Sequence, residues 1–228
     1  MKTTFLLLVT VMLAADALGQ HGNVIGRDER KFGISVKAGP AIPQGEFADL
    51  FSTGFTGFVE VPYNIAKGFS VYLGVGLSRF RADNDKLANE LKQEGQTLTT
   101  NVDAPYWVLP VVLGLNVSYR YANIWPYFTF SGGAYIQRLE TSGSYTTNGT
   151  VTSLEPKTQT WTQSAYAVGL GAFIPLGDEG WAIDLNAKFN SVLDDEGIVI
   201  ITPPSGDSET TRAIRYVSIM AGLSYTFR

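Results

Sequence analysis

The 228-residue chain has no cysteine and a single histidine, His21. Without thiols there is no disulfide, no thiolate metal centre and no cysteine nucleophile. One imidazole close to the N-terminus leaves little material for acid–base catalysis. Charge is scarce as well: 17% of residues are charged, against about a quarter in average soluble domains. The 17 Lys and Arg against 21 Asp and Glu give a net charge of -4 with no basic cluster, which argues against nucleic acid as a partner. Beyond the first twenty residues no uninterrupted apolar run reaches the roughly 18 residues of a membrane-spanning helix. The 24 glycines and 10 prolines follow no three-residue period, which excludes collagen.

What is present begins with an address label. Residues 1–19 carry Lys2, the apolar stretch from Phe5 to Ala15 and the small-x-small end Ala17-Leu18-Gly19. That order is the pattern of a cleaved signal peptide, and about eleven apolar residues are too few to anchor a helix in a bilayer. The expected organisation is a signal peptide over 1–19, an N-terminal periplasmic segment over 20–31 that contains His21, and one domain over 32–228.

Period two dominates that domain. In 181–193, Trp181, Ile183, Leu185, Ala187 and Phe189 alternate with Asp184, Asn186, Lys188 and Asn190; one face suits lipid and the other water. In 68–80, Phe69, Val71, Leu73, Val75 and Leu77 alternate with Ser70, Tyr72, Gly74, Gly76 and Ser78, and such a small inner face suits a narrow lumen. In 105–120 an apolar row is aromatic at both ends, with Trp107 and Tyr119 flanking Leu109 to Val117, as interface girdles require. Further strands are expected over 32–39, 55–63, 126–140, 161–176 and from Ala213 to the C-terminus, which makes eight. Residues 64–67, 121–125 and 177–180 read as short turns. Residues 40–54, 82–104, 141–160 and 194–211 read as long polar loops, with a short helix over 83–94, where Asp and Asn precede Leu87 and Leu91. Short turns on one rim and long loops on the other are the layout of an all-β, antiparallel, up-and-down transmembrane barrel, with periplasmic turns and four extracellular loops. A soluble lipocalin-like barrel alternates in the same way with the faces reversed. The loop layout, the aromatic strand ends and the absence of disulfides in an exported chain favour the membrane form and a place in the outer membrane.

The chain resembles the small eight-stranded outer-membrane β-barrels of Gram-negative envelopes, in particular the porin-family or PorT-like barrels. The resemblance is carried by Gly39-Pro40 with Pro43-Gln44-Gly45-Glu46-Phe47, by Leu109-Pro110-Val111-Val112-Leu113-Gly114, by Pro126-Tyr127 with Gly132-Gly133-Ala134, and by the terminal Gly222-Leu223-Ser224-Tyr225-Thr226-Phe227. It implies recognition of the last strand by the barrel-assembly machinery through a terminal aromatic residue; here Phe227 is followed by Arg228. It also implies, through the family's name, a channel or transport role as an alternative. Some barrels of this size are lipid-modifying enzymes that pair a histidine with a serine. His21, ahead of the first strand, is not placed for that role, so no catalytic residue, cofactor or metal is expected.

On the assigned faces Lys37, Glu60, Arg120, Asp184 and Lys188 point inward, where charge at membrane depth is tolerated. They are expected to form an internally paired polar network, because eight strands leave a lumen that side chains nearly fill. Lys188 is expected to neutralise Glu60 or Asp184. Asp184 lies four residues away on the same strand, about 13 Å along it, so a partner on another strand is equally open. The acidic runs Asp83-Asn84-Asp85 and Asp194-Asp195-Glu196 lack the spacing of a calcium loop and read as solvated loop charge. The expected role is envelope structure or surface interaction, with outer-membrane lipid and an extracellular ligand or protein as partners. A narrow channel is the alternative, and an exported soluble binding barrel the second.

Overall fold

The computed structural model describes residues 32–91, 98–119, 121, 123–147, 150–177, 179–193 and 213–227. The expected signal peptide, the segment over 20–31 with His21, and Arg120 lie outside the described residues. So do the acidic run at 194–196 and most of the connection over 194–211.

Nine strands are present among the described residues: β1 (Gly33–Pro43), β2 (Phe51–Ala66), β3 (Phe69–Ala82), β4 (Leu98–Asp103), β5 (Pro105–Ser118), β6 (Trp125–Thr147), β7 (Thr150–Pro175), β8 (Trp181–Val192) and β9 (Arg215–Thr226). Eight of them close into a ring in the order β6-β5-β3-β2-β1-β9-β8-β7, with β7 returning to β6. Every neighbouring pair is antiparallel, and the first and last strands seal the ring from Gly33↔Thr226 to Pro43↔Tyr216. Closure pairs the backbone polar groups around the wall, the condition for any sheet in hydrocarbon.

Side-chain placement decides which way the barrel faces. Leu73, Leu113 and Leu170 are 56%, 65% and 67% exposed, whereas Lys37, Glu60, Asp184 and Lys188 are 2%, 2%, 0% and 4% exposed. A soluble barrel would bury the leucines and expose the charges. This arrangement is stable only where the outer wall meets lipid. The outward apolar rows, such as Leu109 to Val117 on β5 and Tyr166 to Ile174 on β7, form the belt.

Three tight connections lie on one rim. Lys67 and Gly68 join β2 to β3, with Gly68 at φ 76°; Gly177 and Gly180, at φ 69° and 96°, flank the turn into β8. Glycine takes such left-handed values without a Cβ clash. On the other rim the polar connections depart from the expected loops in three places. Within 40–54, β1 runs on to Pro43, residues Gly45–Asp49 form a 3-10 helix and β2 already begins at Phe51. Residues 141–160 are not a loop: β6 runs on to Thr147 and β7 begins at Thr150, paired as far as Thr147↔Thr150. Within 82–104, the helix α1 (Asn84–Leu91) is followed by β4, which pairs with the top of β6 from Leu98↔Thr147 to Asp103↔Ser142. The ring remains eight-stranded; β4 is a ninth strand laid on its upward extension. The last two departures share one cause. Above the bilayer a strand has no lipid-facing side, so it shows no apolar row, and a Thr/Ser-rich pair reads as loop although its β-branched residues suit a sheet.

Candidate functional site

Among the described residues the lumen is where the chain gathers its chemistry, and it is built in three layers. In the layer nearest the periplasmic end the inward residues of β1, β2 and β8 form a chain of alternating charge. Lys188 Nζ lies 2.7 Å from Glu60 Oε1, Glu60 Oε2 lies 2.8 Å from Lys37 Nζ, and Lys37 Nζ lies 2.9 Å from Asp184 Oδ2. Two cations and two anions cancel. The remaining capacity is taken up by hydroxyls: Tyr127 donates to Asp184 Oδ1 at 2.7 Å and Ser35 donates to Oδ2 at 2.9 Å. Lys188 also donates to the Tyr72 hydroxyl at 3.3 Å and sits 4.7 Å from the Phe58 ring centre. Buried charges are tolerable only when paired and hydrogen-bonded to this extent.

Glycine opposite each charged residue makes the pairing possible. Gly222 on β9 is the register partner of both Lys37 and Asp184, so the two side chains meet across a strand that offers no side chain of its own. Glu60 faces Gly74, and Lys188 faces Gly169. Other glycines admit aromatic rings. A Cβ at Gly76 would lie 2.3 Å from Phe58, and one at Gly114 2.2 Å from Tyr72. The small inner face and the large inward rings are therefore one feature, complementary volumes filling a narrow tube.

The outer layer is apolar. The 3-10 helix at Gly45–Asp49, in the connection after β1, lays Phe47 into the mouth of the barrel. Phe47 packs against Phe51 at 4.7 Å, Phe80 at 5.0 Å and Tyr106 at 5.6 Å between ring centres. Tyr216 meets Phe80 at 5.3 Å and Trp161 meets Tyr106 at 6.1 Å. Phe47, Phe51, Phe80 and Tyr106 are fully buried. Between plug and charges runs a polar band in which Tyr106 donates to Gln137 Oε1, Gln137 Nε2 donates to Gln163 at 2.7 Å and Tyr135 donates to Asn190 at 3.0 Å. Two small voids lie among the described lumen residues. A void of about 10 Å³ beside Lys188 is near the size of a single water, and one of about 40 Å³ at the periplasmic end, reaching Glu60 and Asn116, takes a few waters. Asn116 Oδ1 has no protein partner there, as suits a hydrated pocket.

Of the five expected lumen residues, Lys37, Glu60, Asp184 and Lys188 are brought together, Lys188 on Glu60 and Asp184 on Lys37; Arg120 is outside the described residues. Sequence reasoning placed Tyr72 inward without giving it a partner. It missed Tyr127 and Ser35 as hydrogen-bond donors to Asp184, and it missed Phe47, whose helix lies in an expected loop. Among the described residues no group of three or more His, Asp or Glu forms a metal-ligand set.

No family model matches the chain, and no curated protein sequence matches it. Among solved structures the chain is similar to Neisserial surface protein A, at 13% identity over 86% of this chain and 97% of that one, with a TM-score of 0.52. Two further barrels are more distant: Ail of Yersinia pestis, at 11% identity over 86% and 97% with a TM-score of 0.42, and a major outer membrane protein of Thermus thermophilus, at 19% over 87% and 100% with 0.45. At such identities the likeness is one of fold. The chain has the fold of the eight-stranded outer-membrane β-barrels, and the apolar belt on its own wall makes it an integral protein of the outer membrane.

Proposed function

We propose that the protein is a closed, non-catalytic barrel whose role is envelope structure or surface interaction, exercised by what it holds above the bilayer. The observation that carries this reading is the filled lumen: a charge chain with no net charge, a hydrogen-bonded band and an aromatic plug stacked along the tube. A solute path would need a continuous row of hydrated groups, and an eight-stranded ring is too narrow to add one beside these side chains.

Above the plug, β4 and the upper parts of β6 and β7 form a three-stranded ledge. β8 pairs with β7 only from Ala165 downward, so among the described residues the β7 edge over 150–164 has no strand beside it on that flank. This ledge is the surface we assign to an extracellular ligand or protein partner. At the other end, Tyr225 and Phe227 pack edge to face with ring centres 5.2 Å apart, and we assign this terminal aromatic pair of β9 to the barrel-assembly machinery. Residues 1–19 are proposed to be removed on export; terminal sequencing of the membrane-extracted protein is then expected to begin at Gln20.

The test of the closed barrel is conductance in a planar bilayer. The refolded protein is expected to give no steady current, and Lys188→Ala to weaken folding without opening a path. Stable current steps from the wild type, altered in selectivity by Lys188→Ala, would overturn the proposal in favour of a narrow channel.

A further inference from the structure

The charges on the outside of the wall are distributed as unevenly as those inside. At the periplasmic end of the belt the outward residues are aromatic or aliphatic: Phe32, Tyr119, Trp181 and Phe227 are all exposed there. Among the described residues, every Lys or Arg that a strand turns outward lies at the opposite end, beyond the aliphatic belt on the side of the long connections. These are Arg79, Arg81, Arg138 and Arg215.

Three of the arginines are arranged by register. Phe55 on β2 faces Arg79 on β3, Arg79 faces Trp107 on β5, and Trp107 faces Arg138 on β6. The four residues form one continuous row across four adjacent strands, aromatic and cationic in alternation. The Arg79 guanidinium lies over the Trp107 ring at 4.6 Å, which holds its fork against the wall. Arg81, two residues further along β3 and also exposed, stands about 7 Å above Arg79. Arg138 lies two strands from Arg79, about 10 Å away. Arg138 has one carboxylate partner, Glu140 at 2.6 Å; among the described residues Arg79 and Arg81 have none. A second carboxylate, the exposed Asp103, stands on the same outer face two residues before Pro105, the register partner of Arg81; three guanidinium groups against two carboxylates leave the patch net positive.

We propose that Arg79, Arg81 and Arg138 clamp the phosphorylated sugar headgroup of an outer-leaflet lipid, with Trp107 and Phe55 packing on the first part of its acyl chains. Two observations fit this occupant. The row lies where the aliphatic belt stops, at headgroup depth. Its cations are arginines, whose planar fork matches phosphate oxygens two at a time. A soluble anion would not need the aromatic partners, which face hydrocarbon.

The test is unfolding in vesicles of phosphatidylcholine alone, of phosphatidylcholine with lipid A, and of phosphatidylcholine with lipid A stripped of its phosphates. Unfolding is followed by the loss of the fast-migrating folded form in cold detergent electrophoresis. Lipid A is expected to slow wild-type unfolding by roughly tenfold or more, the stripped lipid to leave it unchanged, and high salt to remove most of the gain. The triple variant Arg79→Gln, Arg81→Gln, Arg138→Gln is expected to fold in phosphatidylcholine and to lose the gain. Arg215→Gln, on the far side of the ring, is expected to keep it. Equal slowing by the stripped lipid, an equal gain in the triple variant, or no gain in the wild type would each overturn the assignment. If the triple variant fails to fold, Arg81→Gln alone decides, with a reduced gain expected and an unchanged one overturning it. None of these outcomes depends on whether the lumen conducts.

Discussion

The barrel wall and the ledge above it share two strands, β6 and β7, which run through both under different rules. Within the wall each residue has a fixed address, because lipid lies on one side and a crowded lumen on the other. Slipping the register by one residue would bring charge into hydrocarbon. Above the buried Leu139 and Thr141, from Ser144↔Ser153 upward, the same pairing continues with residues 151–153 exposed on both faces, and Val151 at the top is 66% exposed with nothing to exclude it from solvent. The wall is thus specified by its surroundings, and the ledge by hydrogen-bond continuity and β propensity alone. The register irregularity between Thr141 and Gly143 falls where the buried mouth of the barrel ends, just above the buried Thr141.

This contrast predicts a graded response to mutation, measured as unfolding free energy in lipid vesicles. The largest effect is expected from Glu60→Ala, which strips Lys188 and Lys37 of their shared partner inside the tube and should cost about 3–5 kcal/mol. Recovery of wild-type stability by Glu60→Asp would show that reach as well as charge is slack there; incomplete recovery is expected. Leu113→Arg, on the outward face of β5, should cost about 2–4 kcal/mol near the midplane, and a negligible loss would contradict the assigned facing. Gly114→Ala, one residue away and inward, drives a methyl into the Tyr72 ring and should cost about 1–3 kcal/mol. Replacing Tyr72 by Phe in the same chain should not relieve it, because the clash involves ring carbons as well as the hydroxyl. The smallest effect is expected from Val151→Arg, the same chemical change as at Leu113 made in the ledge, where it should stay within about 0.5 kcal/mol. A large loss there would mean that the ledge is held as tightly as the wall.

The eight strands of the ring, their facing and three short turns were legible because lipid imposes a strict rule on every second residue. Leu73, Leu113, Leu170 and Leu185 could face only one way once Asp184 and Lys188 had to face the other. The upper halves of β6 and β7, and β4, were not legible, since Thr, Ser and Gly on both faces carry no period. The lumen was legible in part. Alternation puts Lys37, Glu60, Asp184 and Lys188 on the inner wall, but alternation has no knowledge of height or of which strands stand opposite. Whether Lys188 meets Glu60 or Asp184 depends on strand stagger around the ring, and the Gly222 gap that lets Lys37 reach Asp184 is visible only when β1, β9 and β8 are side by side.

The amino-acid order alone therefore determined the all-β class, the ring of eight, and an inside and an outside, because hydrophobic alternation is a local property fixed by the pleat. The tertiary structure alone decided the pairing within the charge chain, the seating of Phe47 in the mouth, and the meeting of Arg79, Trp107 and Arg138 in one row. Each of these depends on the relative height of strands far apart in sequence, and that height is set by closure of the barrel.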